Sequence, residues 1–315
     1  MKIQELNDGY KGSITVLLTN MNRGITAKGA PYLSFTFQDN TGSMEAKYWN
    51  VKEEEIDNYS NGMLVEAFGD VLSHKKMLQF RVAKLQVLDM KDVDIYDYVK
   101  SSAICKEDLQ KRIYGKINEI QNETIKVLVS EIMKDNEKDF FEYPAATKNH
   151  HDFVGGLATH VLGMLELAHS ICMQYPMLNE DLLIGGVILH DIGKLTELNK
   201  AIISEYTTQG KLLGHISIMQ AIVYEKAKQL GLEGEEVLLL RHMILSHHGV
   251  YEYGSPVLPM IPEAEMLHLI DNIDARMSTL EKAMSNVMPG EFTPRIFAME
   301  NRNFYKTTLK NERNR

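Results

Sequence analysis

The stretch Ile188-Leu189-His190-Asp191-Ile192-Gly193-Lys194 decides how the second half of this chain folds. Ahead of it, Leu182, Leu183, Gly186, Val187 and Leu189 form an apolar face, so the segment from Asn179 reads as a buried helix that delivers a His-Asp pair at its end. Gly193 follows, and glycine commonly terminates or connects helices. Adjacent helical residues diverge by about 100°, so the imidazole and the carboxylate reach different sides of one spot. A His-Asp dipeptide alone is ordinary, because a helix-end histidine often pairs with a carboxylate.

The pair does not stand alone. Apolar helices are predicted at Gly155 to Tyr175, His215 to Leu230, Glu233 to Ser246 and Pro262 to Met284, and each carries a polar residue of the same chemical kind. His160 sits among Leu157, Val161, Met164 and Leu165. His215 opens one helix, His247-His248 ends the next, and Asp271 lies among Leu267, Leu269, Ile270 and Ile273. A lone buried carboxylate is costly unless it is paired or metal-bound. Five of the 11 histidines thus join two aspartates in a pattern suited to divalent transition ions. A bound dication lowers the pKa of its water and makes hydroxide available near neutral pH. Lys194, one turn beyond His190, would set a cation beside a bound phosphate. Asp274 shares a helical face with Asp271 and reads as a supporting or structural residue. His150 and His151 read equally as substrate contacts or as loop histidines, and His74, His169, His242 and His268 are given no role.

Upstream the period changes. Tyr32 to Gln38 alternates, with Leu33, Phe35 and Phe37 on one face, and Met44 to Trp49 alternates again after a turn at Asp39, Asn40 and Gly42. Ser13 to Leu18, Leu64 to Leu72 and Leu78 to Leu88 are further strands, with a helical interruption near Glu53 to Tyr59. Five short strands in this span fit a small Greek-key barrel. Such barrels bind single strands by stacking bases on aromatics along a basic groove. Tyr32 and Trp49 fall on the outward phase and are the stacking candidates, while Phe35, Phe37 and Tyr48 point inward. The basic candidates are Arg23, Lys28, Lys47, Lys75, Lys76 and Arg81.

Fold class is therefore α+β and multidomain: a barrel at 1–90, a helical linker at 91–145 containing helices at Lys106 to Ile120 and Glu123 to Met133, an all-α domain at 146–294, and a basic tail at 295–315. The tail carries Arg295, Arg302, Lys306, Lys310, Arg313 and Arg315 against Glu300 and Glu312, and reads either as a solvated end or as a phosphate contact. A net charge of −9 argues against a globally basic nucleic-acid binder, so any groove must come from geometry. Cys105 and Cys172 are the only cysteines, which points to a reducing cytoplasm rather than a disulfide framework. The polar N-terminus lacks a signal-peptide core, and no apolar run approaches the length of a membrane span. Many of the 18 methionines, such as Met164, Met219, Met277 and Met284, read as core filling, and some as lining for a homo-oligomer interface.

The order His160, His190-Asp191, Asp271, with ILHDIGK around the dyad, resembles the HD-domain phosphohydrolases. His215 and His247-His248 resemble the version of that domain that carries two metals, with the choice between His247 and His248 left open. The barrel, together with His150-His151-Asp152-Phe153-Val154-Gly155-Gly156-Leu157-Ala158-Thr159-His160, is similar to the YhaM-type 3′→5′ exoribonucleases, which join an OB fold to an HD domain. That resemblance implies two divalent ions, manganese or a similar dication, and Asp191 and Lys194 as catalytic residues. It implies release of 5′-mononucleotides from single-stranded RNA, with single-stranded DNA a second candidate, by attack of a hydroxide held between the ions. Two other readings stay open. A hydrolase of small nucleotides would share the helical domain, although the cyclic-dinucleotide branch is expected to show GYP after the double histidine and this chain reads HHGVYEYGSPVLP. A non-catalytic single-strand-binding module of replication would share the barrel.

Overall fold

Alternation carries the first half of the chain. The computed structural model describes residues 1–74, 77–89, 93, 95–146, 151–199, 205–285 and 287–309. They fall into two compact units, Met1–Ser101 and Ser102–Arg315. In the first unit, β1 (Lys11–Ile25), β2 (Pro31–Asp39), β3 (Gly42–Trp49), β4 (Leu64–His74) and β5 (Met77–Val87) form a closed barrel in the order β1-β2-β3-β5-β4. The short helix α1 (Glu53–Ile56) connects β3 to β4. A closed five-stranded Greek-key barrel of this order is the OB architecture.

Leu33, Phe35 and Phe37 are buried on one face of β2, as their spacing predicts, and they meet Val16, Leu18, Ala46, Val65 and Phe80 inside the barrel. The Phe37 and Phe80 rings lie 5.4 Å apart. Closure depends on β1, which pairs with β4 through Lys11 to Leu17 and with β2 through Leu17 to Ile25. The strand predicted at Ser13 to Leu18 runs on to Ile25 past a bulge between Thr19 and Asn22, with Asn20 at a φ of 49°. The hairpin between β2 and β3 is tied by Asp39, whose Oδ1 accepts from the Thr41 and Gly42 amides at 2.7 and 3.0 Å.

The second unit is helical: α2 (Lys106–Glu119), α3 (Glu123–Phe140), α4 (Gly156–Gln174), α5 (Glu180–Leu189), α6 (Lys194–Glu197), α7 (Thr208–Leu230), α8 (Glu235–Ser246) and α9 (Pro262–Ser285). Every residue of α5 from Leu182 to Leu189 is buried, so this helix is the axis of the bundle. Its start is fixed by Asn179, whose side chain accepts from the Leu182 amide at 3.0 Å. Helices α2 and α3, which the sequence places in a connector, contribute Leu109, Ile113, Leu128, Ile132 and Phe140 to the same core as α4 and α5. Among the described residues α4 is the one helix long and apolar enough to cross a bilayer, but 56% of it is buried in this unit and most of its apolar side chains, Met173 apart, face the core. Beyond α9 the chain folds back: the Thr293 amide donates to Phe304 at 2.8 Å and the Ile296 amide to Arg302 at 2.9 Å. Lys306 donates to the Met284 and Val287 carbonyls, so this lysine caps the end of α9. Lys310, Arg313 and Arg315 lie outside the described residues.

Trp49 is the single tryptophan and stands on β3, so its fluorescence reports the barrel unit alone. Phe37→Ala removes a fully buried ring and should cost the barrel about 3–5 kcal/mol. Urea unfolding followed at Trp49 should show a lower midpoint, and an unchanged midpoint would contradict the packing described.

Candidate metal centre

Because α5 runs through the middle of the bundle, whatever follows its last residue is delivered to the centre. His190 caps α5, and Asp191 lies in the turn before α6 rather than on the helix itself. Both are buried. His160 arrives from the buried face of α4, and Asp271 from α9. Helix α7 is broken at Gly214 (φ 70°, ψ 153°), so His215 opens its second half, and His247 caps α8 with His248 directly after. The close approach of His215 needs Gly193, where a Cβ would lie 2.3 Å from the His215 carbonyl oxygen.

All seven predicted ligands converge. Asp191 Oδ2 lies 3.2 Å from His190 Nε2 and 4.0 Å from His160 Nε2. Its other oxygen, Oδ1, lies 3.5 Å from His215 Nε2 and 3.8 Å from His247 Nε2. Asp271 Oδ1 stands 3.3 Å from His160 Nε2. His160, His190 and Asp191 offer ligand atoms within 4.8 Å of one another, and so do His215, His247 and His248. Both members of the histidine pair therefore belong to the second group.

The outer nitrogens explain why the inner ones are available. His190 Nδ1 donates to the Val187 carbonyl at 2.8 Å, His247 Nδ1 to Ile244 at 2.8 Å and His248 Nδ1 to Tyr253 at 2.6 Å. A carbonyl can only accept, so the proton of each neutral ring is on Nδ1 and the lone pair is on Nε2. Carboxylates do the same elsewhere: Asp274 Oδ2 holds His160 Nδ1 at 2.6 Å, and Glu197 Oε1 faces His215 Nδ1 at 3.3 Å. The Nε2 atoms of His190, His215 and His247, with Asp191 Oδ1, are buried and make no hydrogen bond among the described residues. Leaving such an atom unsatisfied costs about 1–3 kcal/mol. The donor set, imidazole nitrogen with carboxylate oxygen, fits a divalent transition ion.

The charges are arranged to match. Burial alone would raise the Asp191 carboxyl, but Lys194 and His190 beside it reverse this and hold it well below the usual range. Lys194 Nζ is 2.6 Å from Asp191 Oδ2 and 2.7 Å from the Ala145 carbonyl, so its ammonium fixes this carboxylate. Burial, with His248 next, keeps His247 neutral at physiological pH. His160 is the exception: burial would lower it, but the hydrogen bonds it donates to the Asp271 and Asp274 carboxylates lift it to about 9.

Two parts of this arrangement are not visible in the residue pattern. Glu197 has no apolar periodicity to mark it, yet it holds both the amide and the ring of His215. His151, read from sequence as a substrate contact or a loop residue, gives its Nε2 to Asp274 at 2.7 Å, so one carboxylate oxygen receives two histidines. His150 lies outside the described residues.

Residues 157–276 match the HD domain. The matched segment contains every candidate ligand from His160 to Asp271 and also Asp274. Several solved structures are similar to part of the chain. The second OB-fold domain of replication protein A from Methanococcus maripaludis is 22% identical with a TM-score of 0.23, covering 30% of this chain and 98% of that one. A PriB protein from Ralstonia solanacearum is 16% identical with a TM-score of 0.22, covering 25% and 100%. A putative aspartyl-tRNA synthetase from Leishmania major is 12% identical with a TM-score of 0.22, covering 54% and 39%. The barrel assignment rests on the strand order given above.

On the barrel, Tyr32 and Trp49 are cross-strand partners with ring centroids 4.7 Å apart, and Trp49 is 41% exposed. Lys47 Nζ lies 5.6 Å from the Tyr32 ring centroid and 2.9 Å from Glu45. Arg81 is engaged by both oxygens of Asp70, and Arg23 is ion-paired with Asp57. Lys28 is exposed, and Lys75 and Lys76 lie outside the described residues.

Without an ion His160 carries a proton below about pH 9, and a ligating imidazole must be neutral. Manganese affinity should therefore rise with pH between 6 and 9, with a proton released on binding. Asp274→Ala should weaken binding about 10- to 100-fold and move that rise to lower pH. Calorimetry in buffers of different ionisation enthalpy measures both, and pH-independent binding without proton release would contradict the site.

Proposed function

We propose that this chain is a metal-dependent phosphodiesterase that removes 5′-mononucleotides from the 3′ end of single-stranded RNA, with single-stranded DNA as a second substrate. The single observation that carries the hydrolase part is Asp191, whose two oxygens face two separate groups of inward-pointing imidazoles. His160, His190, Asp271 and Asp191 Oδ2 would hold one ion, and Asp191 Oδ1 with His215, His247 and His248 a second. Manganese or a similar dication bound there supplies a nucleophile at neutral pH and neutralises charge on the phosphate.

The protein's own part is placement and protonation state. The Nδ1 donors hold the rings so that their lone pairs point at one centre, and burial keeps His247 neutral. Lys194 keeps Asp191 ionised and holds it against the Ala145 backbone. Asp271 is the more open acid of the set, with its side chain 19% exposed, and its Oδ1 faces His160 Nε2 at 3.3 Å.

A polymer is favoured over a free nucleotide by the barrel that precedes the HD domain. Its Tyr32–Trp49 pair, the tyrosine half-buried and the tryptophan exposed, with Lys47 beside it, offers a stacking surface of the kind that holds unpaired bases. The 3′→5′ direction and the preference for RNA rest on the resemblance of the whole layout to the YhaM-type enzymes. A purely structural helical domain is disfavoured because buried, inward-facing lone pairs are costly to keep without a ligand.

Incubation of 5′-labelled single-stranded RNA with manganese should give a ladder shortening from the 3′ end. Asp191→Asn leaves one amide where a carboxylate must face two groups, and it should abolish the ladder while leaving the circular dichroism unchanged. EDTA should abolish it too. Cleavage that survives in Asp191→Asn would contradict the assignment, and turnover of nucleoside triphosphates in place of RNA would select the small-nucleotide reading.

A further inference from the structure

The turn that leads into α4 is anchored at His151, whose φ of 44° lies in the left-handed region that residues with a Cβ seldom adopt. Such a conformation persists where the surrounding structure fixes it. Here the His151 amide donates to Ser278 Oγ on α9 at 3.3 Å, its carbonyl accepts from the Ala145 amide at 3.1 Å, and its ring Nε2 donates to Asp274 Oδ2 at 2.7 Å. The next residue, Asp152, pairs with Lys282 on α9. Gly156 opens α4 against this turn, and a Cβ there would lie 2.0 Å from the His151 carbonyl oxygen.

Two lines run from this one residue to the candidate ligands. Its ring holds Asp274, whose Oδ2 also takes His160 Nδ1 at 2.6 Å. Its carbonyl holds the Ala145 peptide, whose own carbonyl takes the Lys194 ammonium at 2.7 Å, and that ammonium is 2.6 Å from Asp191 Oδ2. The two lines end on the same group of ligands, where His160 Nε2 and Asp191 Oδ2 stand 4.0 Å apart. We infer that His151 is a positioning residue: from outside the centre it fixes His160 through its ring and steadies Asp191 through its peptide. It touches neither ion nor substrate in this role, which differs from the substrate contact that its sequence position allows. The inference rests on the metal-centre reading given above. Without the ring, Asp274 loses one of the two imidazoles that hold it, and its grip on His160 loosens.

Calorimetry of manganese binding to the full chain at one pH separates the ring from the turn. His151→Gly suits the left-handed backbone and keeps both peptide groups while deleting the ring. It should weaken binding about tenfold or more. His151→Gln returns an amide nitrogen near the place of Nε2 and should recover most of that loss. A role confined to shaping the turn would rank the two variants the other way, because glycine fits this backbone better than glutamine. Equal affinities of the unmodified chain and His151→Gly, or a His151→Gln no tighter than His151→Gly, would overturn the inference and leave the metal centre standing. If His151→Gly does not fold, His151→Asn takes its place, since asparagine tolerates this conformation and is too short to reach Asp274. An unmodified chain that binds no manganese would overturn the metal-centre reading and the inference with it.

Discussion

The helical unit depends on one constraint: several imidazole lone pairs and a carboxylate oxygen are held facing one another in a largely buried space. Each Nδ1 is tied outward to a carbonyl or carboxylate, so no ring can turn its lone pair away without giving up that bond. Several buried unsatisfied atoms at about 1–3 kcal/mol each are a large load on a domain of ordinary stability. Divalent ions held by the two groups would relieve them, so the core that surrounds the centre is also the scaffold for binding.

The bundle is built to impose this. An α5 with no exposed face leads the chain to the middle, and the break at Gly214 turns His215 inward where a continuous α7 would carry it past. Lys194 and Asp191 form a buried ion pair beside the ligands, and their mutual attraction offsets the burial that would otherwise neutralise both. The barrel unit solves a different problem. Its one long strand closes the sheet by serving two neighbours, which leaves Tyr32 and Trp49 on the outside surface.

Much of this is legible in the sequence because it follows from period and residue type. The inward phase of Leu33, Phe35 and Phe37 and the spacing of His160, His190-Asp191, His215, His247-His248 and Asp271 are properties of a one-dimensional pattern. What escapes depends on contacts between distant segments. That Asp274 is shared by His151 and His160, or that Glu197 holds His215, follows from how loops return to the bundle, and no periodicity records it. Lys194 is identified, but its partner is Asp191 rather than open space, because α6 turns it back over the carboxylate. Arg302 reads as part of a basic tail, yet it closes on Glu300, which also takes Arg276, when the chain folds back on α9.

The central claim is that Asp191 stands between two cation sites, and diffraction at the manganese absorption edge tests it directly. Crystals grown with manganese should show two anomalous peaks, one beside Asp191 Oδ2 among His160, His190 and Asp271, and one beside Oδ1 among His215, His247 and His248. A single peak with the second histidine group empty, or none at all, would contradict it.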